Sequence, residues 1–406
     1  MVILMKFIHS ADLHLDSPFL GLKDVPQEFA KTIYQSTFQA FQNLVNDAIQ
    51  FKVDFICISG DIFDRDQHSI AAESFFNEQC LRLEEASIPV YLSFGNHDYQ
   101  KVDNQLQFPD NVTVFDNHVE TKVLELADGQ RVAISGFSYE TRWITDDRLS
   151  EFPSRNRQVD WQIGLLHGAL SGLKSPHANY APFQLKELLA KKYDYWALGH
   201  IHKRQVLNQQ PPIIYSGNTQ GRHKNEAGKK GYYLVTSQGD TLVPEFHECE
   251  AAIWRSIQVM VRPTETVSDV LSDVQSAVET DGVFHELSLI SVVLKAEALS
   301  QEVQIQLDNG TLLLRLQRQL GAQHKEMWPY ELVLETPPKK MSFDDFDHDS
   351  WQQAETETFT KAQVATVADK LFAYDFIESY FSSNEAIEKV RLAAIEQLNG
   401  KKSKGF

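Results

Sequence analysis

Residues 55–61 read FICISGD: an apolar run over 55–58, then a Gly-Asp turn. A run this short and this apolar fits one strand covered on both faces, with the carboxylate of Asp61 placed just past its end. The same order recurs along the first half of the chain. Apolar runs at 3–8, 90–94, 163–166 and 195–198 each lead into a polar turn carrying Asp, Asn or His. Between the first two runs Phe29, Ile33, Phe41, Leu44 and Ala48 fall near a 3.6-residue period, as a helix packed on one face of a sheet requires, and 70–83 has similar spacing. Short apolar run, sharp turn and helical stretch, repeated, predict an α/β domain.

Further out, 112–139 changes to short alternating strands, with Asp128-Gly129 as the turn of a hairpin, and a second hairpin is expected over 232–243. Together these predict a second sheet packed on the first. Near residue 250 the polar turns stop and a strand–helix–strand pattern starts. The reading gives a main domain over 1–248, a small α/β domain over 249–337, an acidic, proline-flanked linker over 338–352, and a helical segment over 353–406.

Composition agrees with a folded chain of two or three domains: of 406 residues, 42% are apolar and 11% aromatic, enough to offset the entropy of ordering. No run reaches the ~18 apolar residues of a membrane span, and the opening MVILMKFIHS meets His and Ser too early for a signal peptide, so a cytoplasmic protein without membrane attachment is expected. Cys57, Cys80 and Cys249 are odd in number and far apart, which predicts reduced thiols. A net charge of −18 argues against nonspecific wrapping of nucleic acid by the whole surface, while leaving room for a local groove.

The turns carry the chemistry. They read Asp12-x-His14, Gly60-Asp61, Gly95-Asn96-His97-Asp98, His167-Gly168 and Gly199-His200-Ile201-His202. Ligand sites of α/β sheets assemble at the carboxyl ends of strands, so the five turns are expected to converge. A lone His or Gly-Asp is usually structural, but ligand-type residues at five strand ends are not a coincidence of composition. Oxygen and imidazole donors without thiolate suit manganese, iron or zinc, and manganese is the expected metal. Asp61 is the best candidate to bridge two ions at the ~3.5–4 Å of two-metal sites, which activate water and clamp both oxygens of an in-line displacement at phosphorus.

These motifs, in this order, resemble the calcineurin-like metallophosphoesterase superfamily over residues 6 to about 222. The resemblance implies a two-sheet sandwich flanked by helices, with Asp12, His14, Asp61 and His202 on one metal and Asp61, Asn96, His167 and His200 on the other. His97 is then left over to protonate the leaving oxygen, with Asp98 to orient it. Asp64 stands where some nuclease relatives carry His, which puts a second assisting group in doubt.

The opening MKFIHSADLHLDSPF, GDIFD and YSGNTQGRHKNEAGKKGYYLV are similar to SbcD-like DNA repair exonucleases of the YhaO-type branch. That resemblance implies DNA as substrate, a homodimer, a small cap domain, and C-terminal helices that dock on an SbcC-like (YhaN-type) ATPase. On the residues alone, Asn218, Gln220, Arg222, His223 and Lys230 offer amide, guanidinium, imidazole and ammonium donors on a Gly-containing loop, and are the candidate phosphate contacts. Phe372, Phe376, Tyr380 and Phe381 form a stripe at helical spacing that reads either as core or as a docking face. Rival readings are a phosphodiesterase or phosphatase for nucleotides or phosphoproteins, and a scaffold of the same fold without catalysis.

Overall fold

The computed structural model describes residues 4–19, 22, 25–64, 69–99, 106–171, 180–281, 286–324, 326–336, 348–367 and 384–398. The five apolar runs all become strands: β1 (Lys6–Ser10), β2 (Phe55–Ser59), β3 (Val90–Ser93), β7 (Trp161–His167) and β8 (Tyr195–Gly199). The shorter strands are β4 (Val112–Val114), β5 (Glu120–Glu125), β6 (Arg131–Gly136), β9 (Gln205–Gln209), β10 (Pro212–Tyr215), β11 (Gly231–Gln238) and β12 (Thr241–Glu248). They form two six-stranded sheets, ordered β12-β11-β1-β2-β3-β4 and β5-β6-β7-β8-β10-β9. β1 through β4 are mutually parallel, as are β6, β7, β8 and β10.

The two-sheet, helix-flanked α/β sandwich expected from the sequence is therefore present, with corrections to its wiring: β4, from the stretch expected to form the second sheet, joins the first beside β3. The hairpin at Asp128-Gly129 does open the second sheet, but the β11–β12 hairpin pairs antiparallel with β1 and extends the first. β7 and β8 take its place in the second sheet. An apolar run buried on both faces names no neighbour, so strand identity was legible and strand partnership was not.

Alternation along each strand explains how one run serves two cores. Phe7, Phe55 and Cys57 point between the sheets, where they meet Ile163, Leu165, Tyr195 and Ala197. Ile8, Ile56 and Ile58 point the other way, onto Phe41, Leu44, Phe76 and Cys80 of α1 (Gln27–Phe51) and α2 (Ile70–Glu85). On the far side Leu166, Trp196 and Leu198 pack with Leu188 of α3 (Leu185–Lys191). Each fully buried Leu, Ile or Phe contributes about 1.5–3 kcal/mol. Ser69 caps α2 by accepting from the Ala72 amide at 3.1 Å, which adds about 1 kcal/mol.

A third sheet, β13 (Ala252–Met260), β14 (Leu287–Lys295) and β15 (Met327–Glu335), follows in that order, with α4 (Val267–Thr280), α5 (Gln301–Asp308) and α6 (Thr311–Gln323) in its connections. Val267, Val270, Val274 and Val278 form the buried stripe of α4, whose start carries a Thr266–Asp269 capping box. Ala252, Trp254, Leu287, Leu289 and Trp328 share one apolar cluster with Phe19 and Ile33.

The chain separates into two compact units, the first Met1–Val259, Glu265–Leu294 and Ser300–Val333, the second Met260–Thr264, Lys295–Leu299 and Leu334–Phe406. In the second unit helices run over His348–Thr358, Lys361–Val367 and Asn384–Leu398, and Arg391 pairs with Glu355 at 2.8 Å. The stripe Phe372, Phe376, Tyr380 and Phe381 lies outside the described residues. Among the described residues no helix is long and apolar enough to cross a membrane. The three thiols are free and buried, as expected, and burial pushes each up.

Candidate metal centre

The strand ends meet at the seam between the two large sheets. The loop after β1 is stitched to the loop after β2 by Asp12 N–H to Gly60 O (3.0 Å), His14 N–H to Asp61 O (3.0 Å) and Leu15 N–H to Ile62 O (2.8 Å). Across the seam, Ser59 Oγ donates to Ala197 O at 2.9 Å, and the His200 amide donates to both carboxylate oxygens of Asp12 at 3.0 and 3.1 Å. Asp12 (φ 53°), His14 (φ 45°), Asp61 (φ 52°) and His200 (φ 95°) all hold positive φ. Each such residue costs of order 1–3 kcal/mol, and this kind of strain gathers where a site must be held in advance. Gly60, at φ 83°, is required beside them, because a Cβ there collides with the His167 imidazole.

The side chains fall into two groups that share Asp61. In the first, Asp12, His14, Asp61 and His202 bring ligand atoms within 4.8 Å of one another. His14 Nε2 lies 3.0 Å from His202 Nε2 and 3.7 Å from Asp61 Oδ2. In the second, His167 Nε2 lies 3.4 Å from Asp61 Oδ2 and 3.0 Å from Asn96 Oδ1, which also meets His200 Nδ1 at 3.0 Å. All except His202 are buried.

The donor chemistry fits divalent cations. His167 Nδ1 donates to Ser59 O at 2.9 Å, which turns its Nε2 toward two oxygens. His202 Nδ1 donates to the Glu226 carboxylate at 2.6 Å, so the lone pair of its Nε2 faces the His14 ring. The buried His14 Nδ1 has no hydrogen-bond partner. Burial opposes charge throughout, yet the neighbouring imidazoles hold Asp61 well below the usual carboxylate range. Burial likewise pulls His167 down, but Asp61 and Asp12 more than reverse this and raise it to about 9. The site attracts positive charge between oxygens and lone pairs, which is what a bound cation supplies.

His97 sits beside the first group. Its amide donates to Asp61 Oδ1 at 2.9 Å, and its ring Nδ1 donates to the Asp64 carbonyl at 2.8 Å, which leaves Nε2 to exchange a proton. Asp98, expected from the sequence to orient His97, has partners in its own turn. Its carboxylate is fully buried and accepts from the amides of Gly95 (2.7 Å), Ile62 (2.5 Å) and Phe63 (3.3 Å), so it organises the turn, while the Asp64 carbonyl orients His97. Burial, then Asp61, pushes Asp98 up to about 7.

The candidate phosphate loop divides. Asn218 and Gln220 are buried and turned inward: Gln220 Oε1 accepts from the Ala251 and Ala252 amides and its Nε2 donates to Ala252 O, while Asn218 Nδ2 donates to Gln220 O and Glu226. Both serve the backbone instead of presenting donors. Arg222, His223 and Lys230 do line the cleft, about 790 Å³ and open, together with Asp61, Asn96 and His97. Arg222 is ion-paired to Asp64, and Lys230, largely buried, donates to His202 O at 3.2 Å. The adjoining Lys224 and Lys229 pair with Glu331 and Glu248. The stretch is basic in composition but largely compensated in space. Glu226, which holds His202, Asn218 and the Arg222 amide (2.8 Å), was not singled out from the sequence. It lies 24 residues beyond His202, and its one signal is an acid set among basic residues.

The described calcineurin-like phosphoesterase family matches residues 5–204. The metallophosphoesterase YhaO of Bacillus subtilis (strain 168) is 37% identical over 341 residues, covering 82% of each chain. Proteins named DNA double-strand break repair protein Mre11 are 25% identical in Methanocaldococcus jannaschii (70% of this chain, 76% of the relative) and in Sulfurisphaera tokodaii (72% and 75%). With its strand-end carboxylates and imidazoles gathered on one seam, this chain belongs to the calcineurin-like metallophosphoesterases, a family of metal-dependent hydrolases.

Proposed function

We propose that the chain is a two-metal DNA nuclease, hydrolysing phosphodiester bonds in DNA repair. The observation that carries two-metal hydrolysis is the shared carboxylate: Asp61 Oδ2 stands 3.4 Å from His167 Nε2 and 3.7 Å from His14 Nε2, one oxygen between two imidazole-bearing groups. Asp12, His14, Asp61 and His202 would hold one ion, and Asp61, Asn96, His167 and His200 the other, with manganese the metal proposed. Two ions held by these residues would supply a water of lowered pKa and positive charge for the phosphate oxygens. His97, with Nδ1 committed to the Asp64 carbonyl, delivers a proton from Nε2 to the leaving oxygen. Arg222 and Lys230 bring cationic donors to the same cleft. Sequence similarity to proteins named for double-strand break repair supports DNA as the substrate. In keeping with that reading, the small third sheet caps the cleft-bearing sandwich, the chain pairs with itself, and its C-terminal helices engage an SbcC-like (YhaN-type) ATPase. The ion pairs of Arg222, Lys224 and Lys229 favour a second reading, a phosphodiesterase for small substrates that needs no long basic track.

The deciding experiment is manganese-dependent degradation of end-labelled linear duplex by the purified protein, beside His97→Ala and a chromogenic phosphodiester. Degradation by wild type, lost by about 10²–10⁴-fold in the variant, supports the nuclease. Turnover of the chromogenic ester with intact DNA moves the assignment to the small-substrate enzyme.

A further inference from the structure

An aromatic surface stands at the rim of the cleft. Trp143 is 56% exposed, unusual for a side chain with so much apolar area. Its ring stacks on that of Tyr180, centroids 5.0 Å apart and planes 23° from parallel. Tyr180 is buried and lies in turn against the His200 imidazole, centroids 4.6 Å apart. The Arg142 guanidinium is 5.6 Å from the Trp143 ring centre. Arg142 and Tyr180 line the same cleft as Asp61, Asn96 and His200. The Ala181 amide donates to Ile144 O at 2.6 Å, which ties the two supporting segments together. A flat ring, backed by a second ring and flanked by a cation, is thus presented to solvent beside the phosphate-binding end of the sandwich. Such a surface suits a planar, π-faced group attached to a phosphate.

We propose that Trp143, backed by Tyr180 and flanked by Arg142, is the stacking platform for a nucleobase of the substrate strand. The proposal rests on the nuclease reading for the strand, and on the geometry of the rings for the base. It assigns recognition of the base to a different part of the protein from recognition of the phosphate, and it is indifferent to sequence, because every base has a face to stack.

The test is fluorescence anisotropy of the intact protein, in EDTA so that nothing is cleaved, with a short thymidine oligonucleotide and an abasic oligomer of equal length and charge. Wild type is expected to bind the base-bearing strand about tenfold more tightly. Trp143→Ala is expected to erase that preference while Trp143→Phe, which keeps a ring, retains most of it. Equal affinity for the two strands, no binding of either, or a preference that survives Trp143→Ala overturns the platform. The nuclease reading fails separately, if labelled DNA stays intact with manganese while the preference for bases persists. Competition by thymidine monophosphate as strong as by the oligonucleotide has the same meaning, a platform serving a small nucleotide.

Discussion

The strand-end cage and the loop over 215–230 are both polar, both glycine-bearing and both close to the cleft, yet the fold treats them in opposite ways. In the cage, side chains converge so that oxygens and imidazole lone pairs face one another, and His14 Nδ1 stands 3.5 Å from the Asp64 carboxylate. In the loop, the main side-chain donors are taken up within the protein: Gln220 by the backbone at Ala251 and Ala252, Asn218 Nδ2 by Glu226, Arg222 by Asp64. Buried backbone must find partners first, and what remains after that is available to a ligand. Polar composition alone therefore does not mark a site, whereas position at the end of a parallel strand brings ligand-type side chains together.

The comparison breaks most sharply at Asp61. Asp61→Asn is expected to lower kcat/KM on a chromogenic phosphodiester by about a thousandfold or more, since several kcal/mol of charge stabilisation rests on the shared carboxylate. Retained turnover with two bound ions per chain, counted by elemental analysis, would remove Asp61 from the bridge. Next in size is Glu226→Gln, which loosens the His202 ring and also weakens the contacts of Glu226 with Asn218 and Arg222. Manganese affinity by titration calorimetry should fall about 10–100-fold; an unchanged isotherm would leave Glu226 with a purely structural part.

A smaller effect sharpens the contrast from the loop side. Gln220→Ala strips partners from two amides and two carbonyls, so unfolding in urea should show a loss of roughly 3 kcal/mol, with DNA affinity unchanged. Weakened binding at undiminished stability would restore Gln220 as a phosphate contact. Smaller still is a control for buried imidazoles that hold no ion. His9 is fully buried between Tyr195 Oη (2.9 Å) and Leu198 O (3.3 Å), and burial lowers it to about 3. The unfolded chain takes up a proton near pH 6.5 while the folded one does not, so this contribution is present above pH 6.5 and is lost as pH falls toward 3, about 2 kcal/mol by pH 5. His9→Gln should flatten that acid limb; a limb parallel to wild type would place the acid sensitivity elsewhere.

How much of this was legible follows from range. The runs at 55–58 and 195–198 were found as strands, and the turns after them as ligand-bearing, because both signals are contained in under ten residues. The helices around Phe41 and Phe76 were equally plain from their period. The exchange of β7 and β8 for the β11–β12 hairpin was not legible, since pairing is decided across the whole chain. Nor was the partner of His97: Asp98 is adjacent in sequence, but it faces the amides of its own turn and of Ile62, while the carbonyl of Asp64, 33 residues away, reaches the ring. Glu226 and the Trp143–Tyr180 stack escaped notice for the same reason, as their meaning lies in neighbours the sequence sets far apart.

The seam location has a consequence for biogenesis. Asp12, His14, Asp61 and Asn96 follow strands of one sheet, His167, His200 and His202 strands of the other, so each proposed ion set draws on both. The loops after β1, β2 and β3 supply three members of one proposed set and two of the other, and the region of β7 and β8 supplies the rest. The full donor set therefore comes together only once strands of both sheets have docked, with the turn after β8 bringing the last imidazoles to the seam.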